Sequence, residues 1–511
     1  MVYRPLNKER EGALSIVYWR YLAKWENSPK IAIKQKNRSI SYSELYEKST
    51  LAARQIQKEK KPNIGIYLPN SIDYAISYFG ITLAKKCIVP IPIEFTIKEI
   101  RDTVLHCELS AIITNLANLE KLKPLKMAFP QSLRILTIED LLSNNNISEQ
   151  ENNIPLASES SEHDVAIMLC SSGTTGSSKR VMLTHHNLIT NIKSNILSLS
   201  FNQDDITLIV LPMYFGYCNT AQFLTHLYVG ATIVINEPPF TPQSLLSTIQ
   251  KEKITNFTAV PSILVMLMQF KRKDQYDLHS LKMVCFGGGI IAEEIIKGLI
   301  EAFPTVGFVH TYGLTEASPR LTCLLPSDAL RKIGSVGKPI PFVQVKVVDE
   351  NGKEKKIGEV GEIIAFGENI MKGYYKDEEA TRKAIRNGWL YTGDLGYFDE
   401  EGYLYIVGRK KNIIISKSIN ILPEEIEKVL LNHPLVKEVC VTSEPDEVLG
   451  EAVIAKVVPS SSMPSTEIEN ILEDYCRENL ATFKIPKRID IVPSLDKTYT
   501  GKIKRNYNER R

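Results

Sequence analysis

Residues 64–92 read IGIYLPNSIDYAISYFGITLAKKCIVPIP. Positions 64–68 form a short apolar run of strand length, 71–84 a stretch of helix length, and 87–92 a second apolar run rich in Ile and Val. Strand, helix and strand at that spacing make a βαβ unit, and such a unit requires parallel strands covered by helices. Moving outward, the same texture recurs in VAIMLC (165–170), ITLIVL (206–211), KMVCF (282–286), the helical run 292–303 and VGFVH (306–310). Doubly wound α/β sheets are the expected architecture. From residue 334 the pattern turns to Gly-punctuated strands, QVKVVDENGKE, GEVGEIIAFG and FDEEGYLYIVG, with turns at Asn351-Gly352 and at 399–402, which predicts a β-rich subdomain over about 334–408. Beyond it NIIIS, INIL, VCVTS and AVIAKVV read as strands and 423–431 and 467–480 as helices, enough periodicity for a separate α+β domain. The expected division is a large N-terminal domain, 1–408, and a small C-terminal one, 409–511.

The 511 residues carry 62 Lys+Arg against 59 Asp+Glu, a net +3, and are 43% apolar, which is ordinary globular composition. So balanced a charge supplies no broad cationic field for a phosphate backbone, and nucleic acid is not an expected partner. Eight cysteines stand far apart with no C-x-x-C pair, so they read as reduced, buried thiols and not as zinc ligands. The opening MVYRPLNKEREGALSIVYWR has no continuous apolar segment of the secretory kind. No uncharged apolar stretch approaches the ~18 residues of a membrane span. A cytoplasmic enzyme without a transmembrane segment is the expectation.

Chemistry concentrates first after the strand ending at Cys170, in Ser171-Ser172-Gly173-Thr174-Thr175-Gly176-Ser177-Ser178-Lys179. The glycines free the backbone to turn its N–H groups toward one point, the hydroxyls add donors and Lys179 adds a positive charge: a cradle for polyphosphate oxygens. Its place at a strand end in an α/β sheet is where ligands collect. The spacing is not that of the Walker A loop, which disfavours a P-loop kinase or ATPase. A plain Ser/Thr/Gly surface loop is the other use of such letters.

SSGTTGSSKRVMLTHHNL resembles the phosphate loop of the acyl-adenylate-forming superfamily, which includes acyl- and aryl-CoA ligases, peptide-synthetase adenylation domains and luciferases. Gly287-Gly288-Gly289 resembles that family's adenine-side turn, and HTYGLTEAS (310–318) its Y-G-x-T-E motif. LYTGDLGYFDEEGYLYIVGRKKN (390–412) resembles the ribose-binding T-G-D and the domain hinge, and TYTGKIKR (498–505) the C-terminal G-K-x-x-R. These strings stand in family order over about residues 160–505, and the chain is most like an AMP-forming acyl-CoA ligase.

The resemblance implies that ATP and Mg²⁺ activate a carboxylic acid as acyl-AMP with loss of pyrophosphate. The acyl group then passes to a thiol, either coenzyme A or the phosphopantetheine of an acyl carrier protein. It makes Lys502 the catalytic cation between carboxylate and α-phosphate, Thr315 a phosphate contact and Glu316 the Mg²⁺ ligand. Thr311, Tyr312 and Gly313 would border the nucleotide, with Tyr312 beside the adenine. Asp394 would accept both ribose hydroxyls, Arg409 would touch ribose or phosphate, and Lys411 would be the hinge of a mobile C-terminal domain. Two departures stand out: Ser416-Lys417-Ser418 lacks the glycine usual where a pantetheine arm passes, which makes a carrier-loading ligase a credible alternative, and Ser178-Lys179-Arg180 replaces Pro-Lys-Gly.

In LPMYFGYCNT (211–220), Phe215-Gly216 stands where amino-acid-activating relatives carry an aspartate. A buried ammonium without a carboxylate is costly, so an amino acid is disfavoured as substrate. Phe215 and Tyr217 instead suggest an apolar pocket for a fatty or aromatic acid. A nucleotide-binding protein without turnover is the reading from another class. The presence of both Glu316 and Lys502 speaks against it.

Overall fold

The computed structural model describes residues 24–143, 161–170, 179–236, 240–289, 291–416, 419–446, 449–497 and 503–505. Ser171, Ser172, Gly173, Thr174, Thr175, Gly176 and Lys502 lie outside these described residues. The chain forms two compact bodies. The described residues of the first fall within Met1–Ile31, Ile40–Met168 and Met182–Thr190, and those of the second within Ala32–Ser39, Leu169–Val181 and Asn191–Arg511.

In the first body Asn63–Ile66 lies between Cys87–Pro90 and Ala111–Thr114, parallel to both. Arg134–Thr137 extends the sheet beyond Ala111–Thr114, and Val165–Cys170 extends it beyond Cys87–Pro90, again in parallel. The chain thus starts in the middle, adds Cys87–Pro90 on one side, crosses to add two strands on the other, and returns to place Val165–Cys170 beyond Cys87–Pro90, the two-way winding of a doubly wound sheet. NIGI, CIVP and AIIT are buried at every position, as expected of parallel strands covered on both faces. The intervening helix Ile72–Leu83 is capped by Ser71, whose hydroxyl accepts from Tyr74 N at 3.0 Å. It packs on the helix Tyr42–Ile56 so closely that a Cβ on Gly80 would stand 2.8 Å from that of Ala52.

The second body holds the larger sheet. Its parallel strands follow the order Gly307–Gly313, Met283–Gly287, Asn256–Ala259, Ile206–Ile209, Thr232–Ile235 and Ile31–Gln35. Arg320–Leu324 and then Lys338–Pro339 add antiparallel strands outside Gly307–Gly313. Val343–Val348, Gly361–Gly367, Trp389–Phe398 and Leu404–Arg409 form an antiparallel sheet, and its last hairpin closes where Gly402 N donates to Asp399 O at 2.9 Å. That is the β-rich region expected over 334–408.

Farther along, Ile414–Ser416, Ile419–Ile421, Val436–Asp446, Gly450–Pro459 and Arg488–Ile491 make a further sheet, packed by the helices Pro423–Leu431 and Ser465–Asn479. Ile414, Ile426, Leu430, Val441, Ala455, Val457, Ile468 and Leu472 form a core of their own there. The stretch after Leu211, read from sequence only as a pocket segment, is a helical turn Gly216–Cys218 that widens into a π-helix, Asn219–Leu224, before Thr225–Val229. π-turns inside helices occur often at functional sites. All eight cysteines are free thiols, with Cys170 and Cys323 half-buried and the others buried. Among the described residues no helix is long and apolar enough to cross a membrane.

Candidate active site

The strand Gly307–Gly313 organises the site, because consecutive side chains along it face opposite ways. On one face Tyr312 donates its hydroxyl to Asp394 Oδ2 at 2.8 Å. Asp394 sits on Trp389–Phe398 directly across from Arg409 in the hairpin register, and Arg409 Nε lies 2.7 Å from the other oxygen, Oδ1. Asp394 N donates to Thr392 Oγ1 at 3.1 Å, and Thr392 passes its own proton to Ile363 O at 2.7 Å, which fixes the turn beneath the carboxylate. The Asp394 side chain is 5% exposed and that of Arg409 43%, so the pair is open on the arginine side only. Asp394 raises the pKa of the Arg409 guanidinium. Burial, reinforced by Asp394, pushes the Tyr312 phenol well above its usual range. A carboxylate has about four lone-pair sites, so two partners leave acceptor capacity for a further pair of hydroxyls.

Thr315–Ala317 is a single 3₁₀ turn after this strand, started by Leu314 without a side-chain cap. Glu316 Oε1 accepts from Tyr374 OH at 2.9 Å, and the Tyr374 ring lies under Lys179, whose Nζ is 4.8 Å from the ring centre. Tyr374 therefore links the expected metal ligand to the cation of the expected phosphate cradle. Nothing in the sequence marked it; Gly373-Tyr374-Tyr375 belongs to no spacing that dictates chemistry. Main-chain bonds hold the parts together, Met371 N to Glu316 O at 2.9 Å and Tyr375 N to Arg180 O at 2.8 Å. Among the described residues no hydrogen bond occupies the second oxygen of the half-buried Glu316 carboxylate, an arrangement that suits a hard cation such as Mg²⁺ carried on phosphates.

Two glycines are needed where backbones nearly touch. A Cβ on Gly313 would fall 1.8 Å from Pro319 O, and one on Gly287 would fall 2.3 Å from Thr311 O. The expected adenine-side turn therefore lies directly against the Y-G-x-T-E strand, with Gly288 and Gly289 exposed beyond it. On the opposite face from Tyr312, Thr311 donates to Phe286 O at 3.0 Å and accepts from Tyr217 OH at 2.7 Å. Phe215 meets Tyr217 edge-on at 6.4 Å. Phe215 and Tyr217 are the pair expected to line an apolar pocket, and the buried Arg320 of RLTCL interacts electrostatically with Tyr217.

Lys411 lies in the 3₁₀ turn Lys410–Asn412 that follows the hairpin. Burial lowers its pKa, Arg409 and Arg505 push the same way, and Asp394 and Glu316 oppose them, which puts this lysine within electrostatic reach of both carboxylates. The neighbours of Lys502 are firmly held. Lys497 and Ile503 pair as an antiparallel bridge, while Arg505 reaches Glu427 Oε2 at 2.5 Å and Val441 O at 3.1 Å.

Residues 22–375 match the AMP-binding enzyme family, and residues 425–502 match the AMP-binding enzyme C-terminal domain. A 4-coumarate–CoA ligase of Nicotiana tabacum is 32% identical, over 91% of this chain and 88% of that protein. A long-chain-fatty-acid–CoA ligase of Bacillus subtilis is 31% identical, over 88% and 85%. The o-succinylbenzoate CoA synthetase of Bacillus subtilis, solved with its acyl-adenylate intermediate, superposes with a TM-score of 0.84 at 27% identity, covering 95% of this chain and 97% of that one. The same enzyme solved with ATP and a magnesium ion gives 0.84 at 26% identity, over 95% and 98%. The chain belongs to the AMP-binding enzyme family, and within that acyl-adenylate-forming superfamily it is most like the AMP-forming acyl-CoA ligases, which makes it an acid–thiol ligase.

Proposed function

We propose that this enzyme activates a fatty or aromatic carboxylic acid with ATP, releasing pyrophosphate, and hands the acyl group of the resulting acyl-AMP to coenzyme A. The observation that carries the reading is the Asp394 carboxylate, gripped by Tyr312 on one oxygen and Arg409 on the other, beside the Glu316–Tyr374–Lys179 chain. In this reading Asp394 accepts the two ribose hydroxyls, Tyr312 holds the carboxylate in aim while its ring borders the adenine, and Arg409 contributes a ribose or phosphate contact. Gly287, Gly288, Gly289, Thr311 and Gly313 shape the nucleotide's side of the strand. Thr315, Lys179 and the Ser171–Gly176 cradle receive the phosphates. Glu316 would hold Mg²⁺, which when bound neutralises triphosphate charge. One carboxylate suffices for that, since Mg²⁺ takes most of its ligands from phosphates and water. Among the described residues no three His, Cys, Asp or Glu side chains converge into a dedicated metal cage.

Joining a carboxylate to the α-phosphate means forcing two anions together. A cation about 4 Å from a unit negative charge contributes on the order of 4 kcal/mol at an effective dielectric near 20, roughly a thousandfold in rate if realised at the transition state. Lys502 is the proposed cation. Residues 409–511 are the proposed mobile lid, turning at Lys411 to bring that ammonium in for adenylation and to withdraw it for thiol attack. A core separate from that of the large sheet supports independent movement of this part. The cytoplasm is the proposed compartment, where eight unpaired thiols persist.

Acid-dependent exchange of pyrophosphate into ATP tests adenylation; silence across a panel of fatty and aryl acids would favour a nucleotide-binding protein without turnover. Adding coenzyme A or carrier proteins to a charged enzyme identifies the acceptor. Lys502→Ala is expected to cut exchange about a thousandfold while sparing thiolysis of supplied acyl-AMP. Equal loss of both half-reactions would sink the lysine's assignment.

A further inference from the structure

Arg320 opens the strand Arg320–Leu324 and is 2% exposed. Its Nε, Nη1 and Nη2 are all buried and have no hydrogen-bond partner among the described residues. Its main chain is well held, with Asn191 Nδ2 donating to Arg320 O at 2.9 Å. The strand position is therefore fixed while the guanidinium is unanswered. The groups around it do not supply a negative charge. Burial pushes the thiol of Cys285 up to about 11 and the phenol of Tyr217 up to about 12, raises the thiol of Cys323, and lowers His226, so near neutral pH each of them is uncharged. Tyr217 spends its own proton on Thr311, so toward the arginine it and Cys285 offer neutral lone pairs and no counter-charge.

A buried guanidinium without a carboxylate is an expensive arrangement, and proteins retain a buried charge when something pairs with it. Its planar fork of five donors matches a carboxylate through two parallel bonds. The reacting carboxylate of the acid cannot be that partner, because it must meet ATP on the Tyr312–Asp394 side of the strand. Arg320 instead pairs with Gly313 just past a register shift, two positions along from the Thr311–Cys323 pair, and its electrostatic neighbours Tyr217, Cys285 and Cys323 belong to the other face. We propose that Arg320 pairs with a second carboxylate at the far end of the substrate, so that the acid activated here is a dicarboxylic acid whose body lies along Phe215 and Tyr217. This rests on the acid-activating reading above and narrows it: the fatty or aromatic portion is the spacer between two acidic ends.

The test compares acids of equal length in pyrophosphate exchange: adipate with hexanoate, suberate with octanoate, and 4-carboxycinnamate with cinnamate. In at least one pair the diacid is expected to have the higher kcat/KM by about a hundredfold, because a site built to bond a polar group rejects the analogue lacking it. Arg320→Met should reverse that preference to at least about tenfold in favour of the monoacid, and Arg320→Lys should restore part of it. Without substrate, Arg320→Met should melt no lower than the parent, since removing an uncompensated charge relieves a cost. A drop of several degrees would assign the arginine to the fold and overturn the proposal. Monoacids preferred in every pair by the parent enzyme would overturn it too, leaving the ligase reading intact. Exchange with no acid of either series would overturn the ligase reading and this proposal with it.

Discussion

Arg409 and Arg320 serve opposite faces of the strand Gly307–Gly313, and among the described residues only the first has a carboxylate. Arg409 is 43% exposed and rests 2.7 Å from Asp394, which Tyr312 also engages. Arg320 is buried among a phenol and two thiols, with no carboxylate among the described residues to balance its guanidinium. An internally matched charge can prearrange a site for a partner that brings hydroxyls, because the carboxylate keeps spare lone pairs while its orientation is set. An unmatched one stays costly until a partner brings the missing anion. In the proposed reading the alternation of side chains along one strand separates a nucleotide corner from an acid-reading wall only one residue away, at Tyr312 and Thr311.

The contrast can be broken most severely at Asp394. Asp394→Ala leaves Tyr312 and Arg409 without their shared acceptor and makes Arg409 resemble Arg320. Breaking one side of a largely buried pair is expected to lower kcat/KM for ATP about a hundredfold, read from exchange rates against ATP concentration. If KM for the acid moved instead, the ribose assignment would fail.

A titration sharpens the same contrast on the Tyr312 face. His310 is stacked on Phe286 at 4.6 Å and its Nδ1 donates to Ser335 O at 2.9 Å. Burial pushes its pKa down to about 4. The folded value lies below the unfolded one, so this contribution to stability is complete above about pH 6.5 and is lost as the pH falls toward 4. Between pH 7 and pH 5 the loss from this one group is about 2 kcal/mol. Buried His185 and His226 are lowered in the same direction, so urea midpoints measured against pH should show a steeper total slope that His310→Gln reduces by the His310 share; an unchanged slope would place the acid sensitivity elsewhere.

A gentler change is Tyr374→Phe, which keeps the ring beneath Lys179 and removes only the hydrogen bond to Glu316. A bond to a charged group of this kind supports an effect of about tenfold or less, expected as a higher Mg²⁺ requirement with KM for the acid unchanged. A shift confined to the acid would place Tyr374 on the wrong side of the strand.

Much of this architecture was legible in the residues themselves. Parallel strands buried on both faces read as uninterrupted apolar runs, so NIGI, CIVP and KMVCF declared themselves, and the helix at Pro423–Leu431 begins at its proline as the pattern required. Glu316, Asp394 and Arg409 stand in short strings whose resemblance to a family implies their roles, because such strings are local in sequence. Tyr374 and Arg320 were not named, since their significance lies in partners 58 positions away, as for Tyr374 with Glu316, or in the lack of any partner, as for Arg320. Local periodicity determined which segments became strands and helices, and the resemblance of short strings implied which residues would meet a nucleotide. Only the packing of strand against strand decided which charges found a counter-charge, because Coulomb pairing and desolvation depend on distance in space and on burial, neither of which a linear spacing records.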